Sequence, residues 1–133
     1  MVMYVKLYLT SVAVFFITDM LWLGVIARPV YKKYLGHLMK EHVNWTAAII
    51  FYLLFLIGLL IFVIVPAHER GSTGHAALYG ALYGFFTYLT YELTNYAVIQ
   101  DWPFGIVIVD IIWGAVLCCV VSTAVIMASR VIL

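Results

Sequence analysis

Residues 45–65 read WTAAIIFYLLFLIGLLIFVIV, an unbroken apolar run without Asp, Glu, Lys or Arg. About 20 such residues, as a helix, cross the hydrocarbon core of a bilayer. Backbone N–H and C=O groups have no water to bond there, so a spanning segment of this kind folds as a helix. Three more apolar segments surround this one, at about 3–27, 76–99 and 104–128. The expectation is an all-α integral membrane protein: one domain over 1–133, with four transmembrane helices in a bundle.

Composition points the same way. Charged residues make up 10% of the chain and hydrophobic residues 67%, and the mean hydropathy is +1.13. A water-facing domain carries about 25% charged residues, so this chain has too few to cover a solvated surface. A net charge of +1, with no basic stripe, argues against a nucleic-acid partner. Membrane lipids are the expected surroundings. Lys6 ahead of the first apolar stretch gives the N-terminus a signal-peptide look, but the stretch is long and no small-x-small cleavage site follows, so it reads as a retained helix. Cys118 and Cys119 are adjacent inside an apolar run, a spacing that suits small packing residues better than a metal or redox site.

The connections differ in kind. Residues 28–44 hold Arg28, Lys32, Lys33 and Lys40. Pro29 is suited to open a short helix there, with Val30, Tyr31, Tyr34, Leu35 and Leu38 on one face, as in a helix lying in the membrane interface. The 66–74 and 100–103 connections are short, so the third and fourth helices should be antiparallel neighbours. Lys6, Arg70 and Arg130 on the opposite side nearly balance the first loop, and the positive-inside rule gives it only a weak cytoplasmic preference.

Three carboxyl groups lie inside the helices, and no Lys or Arg lies among them: Asp19, Glu92 and Asp110. At 1.5 Å per residue, Asp19 sits about 12 Å and Glu92 about 10 Å from the same end of parallel helices, and Asp110 about 9 Å past the start of the returning one. The three therefore share one depth, with Asn95, Tyr91 and Tyr88 near that level. Ala76, Gly80, Gly84, Tyr88 and Glu92 recur every four residues; so do Asp110, Gly114, Cys118 and Ser122. Small residues at this spacing let helices approach closely. Facing such seams through Gly80, Gly84 and Gly114 brings Glu92 and Asp110 together. Trp22 and Trp113 each follow an Asp by three residues, on the same helix face, placed to wall a pocket or to hold a cation over the ring.

Acids inside a membrane are expensive and mark functional sites by default. Clustered carboxyls can keep protons, hold Mg²⁺, Ca²⁺ or Mn²⁺, or line a wet cavity. The favoured reading is a small carrier or channel subunit that binds a proton or divalent cation at Asp19, Glu92 and Asp110, with a homodimer to enclose the path. One alternative is a membrane-embedded enzyme acting on a lipid or apolar substrate through paired carboxylates. No nucleophile–base pair, HExxH, CxxC or phosphate-cradling loop supports it. A ligand-binding or assembly subunit is the other alternative.

DMLWLG at 19–24, GLLIFV at 58–63 with Pro66-Ala67, TYELTN at 90–95, Trp102-Pro103 and DIIWG at 110–114 together resemble a bacterial family, domain of unknown function 2177, of predicted membrane proteins. The resemblance covers essentially the whole chain. It implies a four-helix protein of the bacterial inner membrane, and its motifs coincide with the acidic level.

Overall fold

The computed structural model describes residues 1–133 and contains only helices and short connections. Four continuous rods make the bundle. The first joins α1 (Val2–Leu21) through a π-helical stretch, Trp22–Ala27, to α2 (Arg28–Leu35). The second joins α3 (Trp45–Leu59) through another π-helical stretch, Leu60–Ile64, to α4 (Val65–Arg70). Single helices α5 (Thr73–Val98) and α6 (Phe104–Ile132) complete it. The first, second and fourth rods are long and apolar enough to cross a membrane. α5, at 26 residues, has the length, about 39 Å, but carries Gly, Thr and Tyr along it.

Both π-helical stretches have a local cause. A proline inside a helix lacks its N–H, and its ring clashes with the carbonyl four residues earlier. For Pro29 that carbonyl belongs to Val25, and for Pro66 to Phe62, each within a π-helical stretch. The wider turn relieves the clash and lets the rod continue. The basic loop thus begins as an extension of the first rod. The expected helix opening at Pro29 is present as α2, where Tyr31, Tyr34 and Leu35 are partly buried while Lys32 and Lys33 are exposed. Leu38, expected on the same face, lies beyond its end and is exposed.

Side-chain caps fix where the later rods begin. Asn44 accepts a hydrogen bond from the Ala47 N–H at 3.1 Å, opening α3. Ser72 accepts from the His75 N–H at 3.0 Å, opening α5. Such caps satisfy helix N–H groups that have no partner within the helix. Gly71, at φ +60, stops the second rod in the left-handed conformation glycine adopts without strain.

The core follows stripes of four-residue spacing. On α1 the stripe is Leu7, Ser11, Phe15 and Asp19, and on α5 it is Ala76, Gly80, Gly84 and Glu92. α5 and α6 form the most extensive helix pair, and α1 packs on α6. A Cβ on Gly84 would run into the Gly114 carbonyl, and one on Gly80 would meet the Cys118 carbonyl at 2.6 Å. The two helices are therefore in backbone contact along this seam. The Tyr8 hydroxyl donates to the Leu53 carbonyl at 3.0 Å, and the Tyr83 hydroxyl to the Phe55 carbonyl at 3.1 Å. These bonds tie α3 of the second rod to its neighbours.

Candidate functional site

Toward the 99–103 connection the bundle loosens into a cavity of about 850 Å³. Every rod contributes to its wall: Asp19, Trp22, Leu23, Tyr31 and Leu35 from the first, Phe51, Tyr52 and Phe55 from the second. α5 supplies Phe86 to Tyr88 and Thr90 to Glu92, Trp102 comes from the last connection, and Asp110 and Trp113 from α6. No Lys, Arg or His lines it.

The α5–α6 seam explains why the cavity opens at this depth. Small residues run along it as far as Gly84 and Gly114. The next α5 position is Tyr88, whose ring takes the place of a Cβ on Gly114. Beyond it come Glu92 and Asp110, whose exposures are only 1% and 8%. Their carboxyls lie within hydrogen-bonding reach of each other. Each is also held from outside its own helix. The Tyr31 hydroxyl donates to Asp110 Oδ1 at 2.5 Å, and the Trp102 indole N–H donates to Glu92 Oε2 at 2.8 Å.

Asp19 is placed differently. It is 4% exposed, near Tyr52, Trp113 and Asp110, yet its Oδ2 is buried without a hydrogen-bond partner. The Trp22 indole N–H is also buried and unpartnered. Trp22 and Trp113 stack face to face, with ring centroids 4.2 Å apart and planes 7° apart, and both border the cavity.

The structure thus brings Asp19, Glu92, Asp110, Tyr88, Tyr91, Trp22 and Trp113 to one chamber. Asn95 is not in its wall; it lies beside Tyr91, a turn closer to the connection. His37 and His42, in the first loop, are exposed and outside the wall. No three His, Cys, Asp or Glu side chains are gathered closely enough to hold a metal ion: the acids share a chamber without converging on a point. Sequence reasoning missed Tyr31, Tyr52 and Trp102. Trp102 stands in a short turn one helix end from Glu92, a place that suits an interfacial anchor equally well. Tyr31 was read as part of an apolar face on the membrane surface.

The fold and chamber define a class: a multi-pass membrane protein with a buried acidic, aromatic-walled cavity. A family model described as predicted membrane protein, DUF2177, matches residues 4–127, and the chain belongs to that family. No curated protein and no solved structure matches it.

Proposed function

We propose that the chain is a small carrier of the bacterial inner membrane whose cavity binds a proton together with a small solute. One observation carries this reading: three carboxyls from three rods share a buried cavity without a basic side chain to neutralise them. Two carboxyls at hydrogen-bonding range can bond only when one carries a proton, because two bare carboxylates repel. Glu92 and Asp110 are the proton-holding pair, with Tyr31 and Trp102 stabilising their outer oxygens. Asp19 is the group left facing the solute. The separation of the three acids favours a proton over a divalent metal ion. A second copy of the chain belongs to the proposal, since four helices leave few surfaces to move against one another. Cross-linking in native membranes tests that pairing.

The test of the proton site is thermal stability across pH in lipid nanodiscs, for wild type, Glu92→Gln and Asp110→Asn. Stripping the shared proton sets two charges against each other, so the wild-type melting temperature should fall as pH rises. The amide variants, which keep a hydrogen bond with less charge, should show a flatter profile. Identical profiles for all three proteins would remove the proton site, and with it the carrier reading. A cation panel in the same assay should leave the wild type unmoved, because a ligand stabilises only when it binds the folded state.

A further inference from the structure

The polar groups of the cavity fall into two sets. Glu92 and Asp110 have each other, Trp102 and Tyr31. Asp19 Oδ2 and the Trp22 indole N–H accept and donate no hydrogen bond, although Tyr52 and Trp113 stand beside the Asp19 carboxyl and Tyr31 beside the Trp22 indole. A buried carboxylate oxygen without a partner is costly, and the cavity wall supplies no positive charge. When ionised, Asp19 is complemented by a cation. The wall around it is aromatic, including the stacked Trp22–Trp113 pair, and aromatic faces attract organic cations, most strongly where water is excluded.

The route in is visible on the second rod. None of its first residues, from Trp45 to Phe51, is buried. Its closer packing on α5 comes later, at 60–64. Phe51 and Phe86 both line the cavity, yet they are 54% and 57% exposed. The wall between α3 and α5 is therefore made of side chains that also face the lipid.

From this geometry we infer that the cavity takes a lipophilic organic cation, which enters sideways from the bilayer between α3 and α5 and is neutralised by Asp19. The inference rests on the cavity being a solute site, as in the carrier reading, and it names the solute class. An inorganic cation gains little from the aromatic wall, and an anion meets three carboxyls.

Tetraphenylphosphonium and tetraphenylborate, ions alike in size and opposite in charge, provide the test. Binding of each to the full chain in nanodiscs is measured by equilibrium dialysis against empty discs. Saturable binding of the phosphonium alone is expected, with Asp19→Asn weakening it by about 30-fold and Asp19→Glu retaining it. Equal retention of both ions, saturable binding of neither, or full binding by Asp19→Asn overturns the inference. The wild-type comparison decides even if a variant fails to fold. For the route, Phe86→Cys and His42→Cys are each labelled with a bulky maleimide. The label at Phe86→Cys should slow phosphonium association, and the label at His42→Cys should leave it unchanged; the reverse pattern overturns lateral entry. The pH profiles of Glu92→Gln and Asp110→Asn, recorded without either ion, stand or fall independently.

Discussion

The same two helices behave in opposite ways at the two ends of their contact. Around Gly80, Gly84 and Gly114, α5 and α6 meet backbone to backbone, and no room is left for a single Cβ. Two turns further along, around Glu92 and Asp110, the pair borders a cavity of about 850 Å³. One end gains from dispersion contacts that only small residues permit, since lipid offers helices little hydrophobic reason to associate. The other end holds polar groups that need partners, and it obtains them from α2 and the last connection. A tight seam next to a loose chamber suggests a division of labour: the glycine end fixes the helix pair, so that the acidic end can be left open without loss of the fold.

That division can be broken first at the seam. Gly84→Ala forces a methyl group into the Gly114 carbonyl. Overpacking of this kind typically costs about 1–3 kcal/mol and sometimes more. Because the obstacle is backbone, the expected loss is at the upper end or beyond, read as the unfolding midpoint in mixed detergent. An unchanged midpoint would show that the helices can slide apart cheaply. Next comes Asp110→Leu, which leaves the Tyr31 hydroxyl and the Glu92 carboxyl short of a partner. Stranding buried groups costs about 1–3 kcal/mol each, so a loss in that range is expected in the same assay. Trp102→Phe removes one charge-assisted bond from Glu92 and should cost about 1.5 kcal/mol. Asp19→Asn sharpens the contrast, because Asp19 Oδ2 has no partner to lose. Its stability should stay within about 0.5 kcal/mol of wild type, or rise, since a buried charge without an opposite charge nearby is removed. A loss as large as that of Asp110→Leu would place Asp19 in the scaffold and not at the ligand. The smallest effect is expected for His42→Ala, exposed and outside the cavity, at under about 0.5 kcal/mol.

Much of this contrast was legible in the residues themselves. The apolar runs located the rods because hydrogen bonding in lipid leaves the backbone no other choice. The four-residue spacing of small residues on α5 and α6 pointed to one seam, and the rise per residue put three acids at one depth. The ends of the rods were less legible. The first apolar run, read as 3–27, continues helically to Leu35, because a π-helical turn absorbs Pro29 where a break is the simpler expectation. The fourth, read to about 128, continues to Ile132, since helix ends in the interface need no apolar residues. Partners drawn from afar were not legible at all. Tyr31 is 79 positions from Asp110, and nothing local distinguishes a tyrosine that bonds a buried acid from one that anchors at the headgroups. Asn95, by contrast, was expected near the depth of the acids but is not among the residues of the wall.

The hydrogen bond from Trp102 to Glu92 joins a carboxyl inside the bundle to an indole in a surface turn. An indole's emission responds to the charge beside it, so the molecule carries its own optical gauge of that carboxyl. In a variant with Trp22, Trp45 and Trp113 changed to phenylalanine, the remaining fluorescence would follow the charge of that acid across a pH titration without any added dye.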